Sequence, residues 1–351
     1  MTTAAISSPE VWRATHDDSS RRARLQDIDR AKGLTIILVV IGHIAARDKP
    51  TGTDWFALVQ FLINSFHMPF FMYLAGYVFF YGGNAFDPRP TYFGYVRRRA
   101  ERLLIPFLAV GLLIVVGKFS LEAFMHVDNW TGTIGSALRA LIWDTANSPA
   151  ESIWFVFVLF VYCVCVPLLF RAVRYRLWIL LAGAAIAYFL AAYLLVVPGY
   201  VYLDRISTYL IFFLLGGLVQ SRADAVAFID RAFVPFAVCF AISLALLAFR
   251  VFEHQAFVLC NFLGMPCMHG LVLRIREGRF LLWLSQYTFV IYLLNTIVMG
   301  FTLGMLLLFL PWNAVSFLLL LPVLGAAGLF GPILIKIAVF RRTPRVDAMT
   351  N

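Results

Sequence analysis

The chain has 351 residues, of which 62% are hydrophobic, 16% aromatic and 14% charged, and its formal net charge is +10. Soluble domains carry about 25% charged residues, so the composition excludes an ordinary soluble protein and predicts an all-α, polytopic membrane protein. The positive charge does not indicate nucleic-acid binding, because the basic residues form short clusters between apolar segments, which is the pattern that sets membrane topology.

Residues 1–26 form a polar N-terminal segment rich in Ser, Thr and Asp. Because so little apolar surface cannot offset the entropy of ordering, we predict a disordered cytoplasmic tail. Arg21 and Arg22 resemble a twin-arginine export signal, but Asp27 and Asp29 precede any apolar core, which excludes that interpretation. We expect a single transmembrane domain over 27–340 and a second cytoplasmic tail over 341–351.

Ten apolar segments follow the tail, each judged against the ~20 residues that an α-helix needs to cross a bilayer. They are 31–46, 56–81, 103–121, 153–170, 177–197, 206–220, 233–252, 255–273, 281–310 and 313–339. The segment 206–220 is short, and 281–310 is long and begins with polar residues. Either could be a broken or re-entrant helix, so the sequence leaves open whether 281–310 is one helix or two.

The basic residues set the expected orientation. With the N-terminus in the cytoplasm, 23 of the 29 Lys and Arg residues fall on the cytoplasmic side and six fall outside. This bias predicts ten spans with both termini in the cytoplasm. The one sizeable outer loop is then 122–152.

Ionisable side chains inside the first two apolar segments are the strongest functional signal. A charged side chain at the centre of a membrane helix costs roughly 2.5–3.5 kcal/mol, so residues of this kind usually line cavities and do chemistry. Lys32 and His43 are eleven residues apart, which on one helix is about 16 Å along the axis and roughly 20° around it. His67 lies at a comparable depth in the second segment, where Pro69 should loosen the backbone hydrogen bonding.

This spacing suits a cofactor with an anionic head and a long arm. The anionic head would bind basic side chains at the cytoplasmic surface, such as Lys32. The arm would extend into the membrane segment, so that its reactive end lies next to the base, His43. The alternative is a lysine that extends to the interface and two histidines that form hydrogen bonds between helices.

A second signal is the cluster RRRAER at 97–102, just before the third segment. Arg99 and Arg102 are three residues apart, so they are neighbours on a helix face and could grip a phosphate together. The alternative is an ordinary anchor to the anionic inner leaflet.

The cysteines and the familiar motifs give no competing site. Five cysteines lie in apolar runs without a Cys-x-x-Cys pair, so we expect small buried side chains, and neither disulfides nor a metal site. The sequence has no G-x-S-x-G elbow, P-loop, H-E-x-x-H or Rossmann fingerprint.

The first apolar segment carries a family resemblance. The stretch IDRAK at 28–32, followed by LTIILVVIGH, resembles the first helix of the acyltransferase-3 family of integral-membrane acyltransferases, in its fucose 4-O-acetylase-like branch. The family's basic residue, ten residues and histidine fall on Lys32 and His43, and its upstream acid falls on Asp29.

Later motifs extend the resemblance over about 29–300. FHMPFF at 66–71, ending in AGY at 75–77, is similar to the family's second-helix signature. RAER at 99–102, with Pro106, is similar to its paired-arginine motif. Weaker similarities occur at 153–156, 212–216 and 287–295.

The sequence departs from the family at one late position. In many relatives an Ile-Tyr-Leu-Leu element is followed by histidine, whereas here IYLL at 291–294 is followed by Asn295. An asparagine can hold a hydrogen bond but cannot act as a base, so we assign it no catalytic role.

The resemblance implies an O-acyltransferase, expected to be an O-acetyltransferase, in the plasma (inner) membrane. The acyl group would move from cytoplasmic acetyl-CoA or another acyl-CoA to a hydroxyl of a carbohydrate or glycolipid acceptor, as in polysaccharide modification. Lys32, Arg99 and Arg102 would hold the CoA phosphates, and Asp29 would position Lys32. The expected partners are acyl-CoA, the acceptor and membrane lipids, with no nucleic acid and no metal.

The two histidines would supply the chemistry. His43 is the expected general base, which takes the hydroxyl proton as the oxygen attacks the thioester. His67 would orient the acceptor or stabilise the developing oxyanion. The sequence is also compatible with a mechanism in which the acyl group is first transferred to a histidine. The alternatives are a proton-coupled transporter or flippase that uses His43 and His67 as a proton relay, and an inactive membrane scaffold.

Overall fold

A computed structural model describes residues 18–44, 49–86, 91–122, 133–275 and 277–350. Within these ranges the chain is α-helical and forms no β-strand, apart from one isolated bridge between Asp144 and Tyr200. The all-α architecture is therefore confirmed. Most of the tail predicted at 1–26 lies outside the described residues.

The helices fall into two runs along the chain, separated only by Arg222. The first run comprises α1 (Asp18–His43), α2 (Asp54–Asn64), α3 (His67–Tyr81), α4 (Tyr92–Arg99), α5 (Ile105–Glu122), α6 (Ile134–Ile142), α7 (Trp154–Ala172), α8 (Leu177–Tyr193) and α9 (Leu203–Ser221). The second comprises α10 (Ala223–Arg231), α11 (Phe233–Ala248), α12 (Glu253–Arg274), α13 (Arg279–Ser285), α14 (Thr288–Leu306), α15 (Ala314–Ala338) and α16 (Pro344–Met349).

Every one of the ten predicted apolar segments overlaps a helix. Within the described residues, seven helical stretches are long and apolar enough to cross a membrane. Helices α10 and α11, bent by 64° at their junction, would add an eighth. The polytopic character is confirmed. The count of ten stays a prediction, because α1 carries several charges and α8 has only 17 residues.

The structure resolves which predicted segments are interrupted. Segment 281–310 is two helices, α13 and α14, separated at Gln286 and Tyr287. Segment 206–220 is the single uninterrupted helix α9. The second segment is interrupted at Ser65 and Phe66, so that Pro69 falls in the first turn of α3, where its missing N–H leaves no helical hydrogen bond unmade.

The first helix begins at Asp18, inside the stretch predicted as a tail. The residues that extend it, RRARLQ at 21–26, are mostly strong helix formers. Disorder of the remaining residues, 1–17, stays a prediction.

The chain divides into two compact units. Of the described residues, the first unit contains 18–26 and those within 72–226, and the second contains those within 27–71 and 227–350. The single domain predicted for 27–340 stays a prediction.

In the first unit, α3 and α9 cross with their backbones in direct contact. A Cβ at Gly76 would lie 1.9 Å from the carbonyl oxygen of Phe213, and one at Gly216 would lie 2.0 Å from that of Tyr73. Only glycine fits at such a crossing, as in small-residue contacts between membrane helices. This contact gives Gly76, part of the AGY motif, a packing role.

In the second unit, two contacts hold the segments that carry the predicted site. A Cβ at Gly33 of α1 would lie 2.2 Å from the carbonyl oxygen of Leu281, so α1 and α13 touch at the backbone. Phe66 packs edge-on against Phe240 at 5.1 Å between ring centroids. Because Phe66 immediately precedes His67, this packing fixes the start of α3.

Candidate active site

The N-terminal part of α1 carries two ion pairs. Lys32 Nζ lies 2.9 Å from Asp29 Oδ1, and Arg30 Nη1 lies 2.8 Å from Asp27 Oδ1. Burial raises the pKa of the Asp27 carboxyl, although its contact with Arg30 acts in the opposite direction. The structure thus joins Asp29 to Lys32, as expected from sequence, while the lysine stays partly exposed.

His43 is the last residue of α1. Helix α1 runs without a break from Lys32 to His43, which keeps the two side chains about 16 Å apart along the axis and on one face. The residue as a whole is of intermediate exposure. A side chain at the end of a helix can be reached from beyond that end, which suits a group that must meet a substrate.

His67 is the first residue of α3 and is buried, with 4% of its surface exposed. Its Nδ1 lies 2.9 Å from the carbonyl oxygen of Ile63. A carbonyl oxygen can only accept, so this contact assigns the proton to Nδ1. In the neutral ring Nε2 is then a hydrogen-bond acceptor, and it could donate to an oxyanion only as imidazolium.

The end of α1 meets the start of α3. A Cβ at Gly42 would lie 3.9 Å from both Cε1 and Nε2 of His67, and 3.2 Å from Asn64 Oδ1. His43 and His67 also interact electrostatically. The structure therefore brings together the two histidines singled out in the sequence.

Sequence reasoning missed Gln60, on α2. Its Nε2 lies 2.8 Å from the carbonyl oxygen of Ile44, 3.0 Å from that of Gly42 and 3.5 Å from that of Ile41. The available signal was a polar amide residue within an apolar segment, seven residues before His67. We call His43, His67 and Gln60 the histidine site.

Arg99 and Arg102 belong to the first unit. Arg99 ends α4, and Arg102 lies in the π-helical turn Ala100–Leu104, a kind of irregularity that is frequent at functional sites. The two guanidinium groups are close enough to repel each other, and both lie near the Cys163 thiol. Arg97, by contrast, pairs with Glu101 at 2.9 Å.

Tyr95 supports the arginine pair and was also missed from sequence. The Arg99 guanidinium carbon lies 5.2 Å from the centre of the Tyr95 ring. The hydroxyl of Tyr95 donates to the carbonyl oxygen of Cys163 at 3.0 Å, which ties α4 to α7. We call Arg99, Arg102 and Tyr95 the arginine site.

Asn295 is bound within its own helix. It is 1% exposed, and its Nδ2 donates to the carbonyl oxygens of Ile291 at 2.8 Å and Tyr292 at 2.9 Å. These contacts suit the hydrogen-bonding role expected for it. In the described part of the chain, no group of three or more His, Cys, Asp or Glu side chains could hold a metal ion.

A comparison with protein families matches residues 25–337 to the acyltransferase-3 model, described as an acyltransferase domain. The chain is also similar to two curated proteins named nodulation protein NolL. It is 29% identical to that of Mesorhizobium japonicum over 172 residues, which are 48% of this chain and 42% of the relative. It is 31% identical to that of Sinorhizobium fredii over 172 residues, 48% of this chain and 43% of the relative.

The chain therefore matches less than half the length of these curated relatives. No solved structure matches it.

Proposed function

We propose that this chain, which belongs to the acyltransferase-3 family and has several helices able to cross a membrane, is a membrane acyltransferase that carries out the following reaction. The donor is cytoplasmic acyl-CoA, with acetyl as the acyl group. The acceptor is a hydroxyl of a sugar, glycan or glycolipid. The protein acts in the plasma (inner) membrane.

The reaction needs one proton to move. The acceptor oxygen attacks the thioester carbonyl carbon, the C–S bond breaks, and an ester and the CoA thiol form. His43 takes the proton of the hydroxyl and returns it to the departing thiolate, as a general base and then a general acid.

The observation that carries this proposal is the orientation of His67 toward the end of α1. With Nδ1–H bound to the Ile63 carbonyl, Nε2 is left as an acceptor beside Gly42, the residue before His43. A base whose partner is oriented by a third group is the usual arrangement of an activated acid–base pair. His67 therefore acts by orienting the acceptor hydroxyl or His43, since a neutral ring of this tautomer has no second proton for an oxyanion.

From the sequence motifs, Lys32 in the second unit and Arg99 and Arg102 in the first are each proposed to contribute to binding the CoA phosphates. Paired guanidinium groups suit phosphate oxygens because each offers a planar fork of donors. The ion pair with Asp29 restricts the Lys32 side chain. The roughly 16 Å between Lys32 and His43 leaves room for the pantetheine arm between the anionic head and the thioester.

The proposal is tested with purified protein in detergent, given acetyl-CoA labelled in the acetyl group and a panel of glycans. We expect label on a glycan and free CoA thiol in equal amounts with the wild type, and neither with His43→Ala. If no acyl-CoA yields a labelled glycan, and vesicles that contain the protein move a glycan or protons across the membrane, the enzyme proposal is wrong. The protein would then be a transporter that uses the two histidines as a proton relay.

Both termini lie in the cytoplasm in this proposal, which puts the arginines and Lys32 on the side of acyl-CoA. The basis is the asymmetry of 23 to six basic residues. Cysteines placed at Trp130 or Ala146 should be labelled only from outside, and those at Ser8 or Thr343 only from inside. Labelling at 130 and 146 solely from the cytoplasm would contradict this orientation.

A further inference from the structure

The end of α1 is held by one side chain from another helix. The last four carbonyl groups of an α-helix have no partner within the helix, and leaving such a group buried and unbonded costs about 1–3 kcal/mol. At α1 the Nε2 group of Gln60 contacts three carbonyl oxygens, those of Ile41, Gly42 and Ile44. Gln60 itself is buried, with 7% of its surface exposed.

The three carbonyls lie on both sides of His43 in sequence. The shortest contacts, 2.8 Å to Ile44 and 3.0 Å to Gly42, are with the residues immediately after and immediately before it. The Gly42 carbonyl belongs to the peptide group that precedes His43, and the Ile44 carbonyl to the peptide group that follows Ile44, so the amide restrains the backbone on either side of the residue that carries the imidazole. The amide therefore restrains where the imidazole can point, although it does not touch the ring.

Gln60 also links the two histidines. It lies on α2, and His67 begins α3 after an interruption of only two residues. Packing of Phe66 against Phe240 and Gly264 holds this interruption in place. The short segment 60–67 thus contains both His67 and Gln60, whose amide binds the carbonyl groups at the end of α1.

We propose that Gln60 is a positioning residue that holds His43 in register with the Nε2 atom of His67. This inference rests on the proposed function, since it gives the register a catalytic purpose. A misplacement of about 1 Å in a reacting group can cost on the order of 10²-fold in rate, so a restraint of this kind should act on kcat.

Glutamine suits the task because its NH₂ group donates two hydrogen bonds without carrying charge. Leucine would remove this donor from the Gly42 and Ile44 carbonyls, whereas the Ile41 carbonyl would still accept from the backbone N–H of Ile44. Ionised glutamate would direct a carboxylate at carbonyl oxygens, whereas protonated glutamate has one O–H to donate. The glutamate variant should therefore regain function as pH falls, relative to the wild type at each pH.

The test compares Gln60→Leu and Gln60→Glu with Gln220→Leu, a matched control. Gln220 is also buried, at 2% exposure, and lies on α9 in the first unit. We expect Gln60→Leu to lower kcat by about 10- to 100-fold with KM for acyl-CoA within about twofold. Gln220→Leu should keep the wild-type kcat. The ratio of Gln60→Glu to wild-type activity should rise as pH falls, while that of Gln60→Leu should stay flat.

A second readout needs no turnover. Diethyl pyrocarbonate modification, followed residue by residue by mass spectrometry, should change at least severalfold in rate at His43 in Gln60→Leu and stay constant at His254. If the wild type transfers acetyl groups but Gln60→Leu matches Gln220→Leu in kcat and leaves His43 reactivity unchanged, the positioning role is wrong. If neither the wild type nor any variant transfers acetyl groups, the proposed function is wrong. In that case the modification rates of His43 still show whether Gln60 restrains this residue.

Discussion

The histidine site and the arginine site are built in different ways. In the histidine site, backbone carbonyls fix the side chains: Ile63 binds the His67 ring, and three carbonyls at the end of α1 bind Gln60. In the arginine site Arg99 ends α4, and Arg102 extends from the π-helical turn that follows and is exposed. The main support of the arginine site is the ring and hydroxyl of Tyr95.

The difference corresponds to the tasks that we propose. Proton transfer needs heavy atoms within about 2.6–3.2 Å, so the groups that perform it must be held tightly. Binding the phosphates of CoA needs charge and donors, and long exposed side chains can supply these over a range of positions. Changes in the histidine site should therefore act on kcat, and changes in the arginine site on KM for acyl-CoA.

The largest effect should follow loss of either histidine. His43→Ala should reduce kcat by about 10²–10⁴-fold, the usual cost of losing a general base, while the protein still inserts and folds. His67→Ala should also be severe, because His43 loses its oriented partner. His254, which is exposed, supplies the control, and His254→Ala should stay near wild type. Full activity of His43→Ala in the labelled-acetyl assay would remove the base from this account.

Loss of an arginine should instead weaken the binding of the acyl donor, acyl-CoA. Arg99→Ala and Arg102→Ala should raise KM for acyl-CoA by about 10- to 100-fold, the cost of removing a hydrogen bond to a charged group, with a smaller change in kcat. Arg102→Lys should restore binding only in part, since lysine lacks the planar fork. Added salt should weaken acyl-CoA binding to the wild type more than to the Ala variants.

Arg97→Ala is the matched control for that experiment. It removes the same charge from the same cluster, but Arg97 is paired with Glu101. We expect little change in KM. Equal effects of all three Ala substitutions would favour the inner-leaflet anchor over the phosphate site.

Gly42→Ala should disturb the register of the histidine site without removing a functional group. The added Cβ would lie 3.2 Å from Asn64 Oδ1, so the Asn64 side chain at the end of α2 must move by a few tenths of an ångström beside the His67 ring, which the Cβ would meet in ordinary contact at 3.9 Å. We expect kcat to fall by about tenfold. Gly300→Ala, at a helical position with no atom within 4 Å, should leave kcat unchanged. Equal rates for the two variants would contradict close contact between the helices at this point.

Tyr95→Phe should have the smallest effect. The ring stays beneath Arg99, but the hydroxyl that binds the Cys163 carbonyl is lost. A rise of about 2- to 10-fold in KM for acyl-CoA is expected from one neutral hydrogen bond. Tyr92→Phe is the control, because the Tyr92 hydroxyl also binds a carbonyl of α7, that of Val164 at 2.6 Å. A larger effect of Tyr92→Phe would remove Tyr95 from the arginine site.

Hydropathy alone predicted the helical class, and each predicted apolar segment overlaps a helix, but α6 lies within 122–152, which was predicted as a loop. The polar start of 281–310 indicated the break between α13 and α14, whereas the interruption at Ser65 and Phe66, where Phe66 packs against Phe240, was not predicted. Hydropathy also placed the start of the first helix too late. The predicted segment begins at residue 31, whereas the helix begins at Asp18, in a polar stretch that is helical although it has little apolar surface.

The candidate active site was likewise predicted only in part from the sequence. Spacing was enough to select Lys32, His43 and His67, because ionisable groups are rare in apolar segments. The tautomer of His67 and the part played by Gln60 were not accessible, since both depend on backbone carbonyls that only the folded chain brings into reach.

The most direct test of the division between the two sites is equilibrium binding of labelled acetyl-CoA without any acceptor, measured for His43→Ala and Arg102→Ala. Our account predicts that His43→Ala binds acetyl-CoA within about twofold of the wild type, although it cannot turn over. Arg102→Ala should bind about 10- to 100-fold more weakly. If His43→Ala loses acetyl-CoA binding as Arg102→Ala does, or if Arg102→Ala binds as the wild type does, the assignment of chemistry to one site and donor binding to the other is wrong.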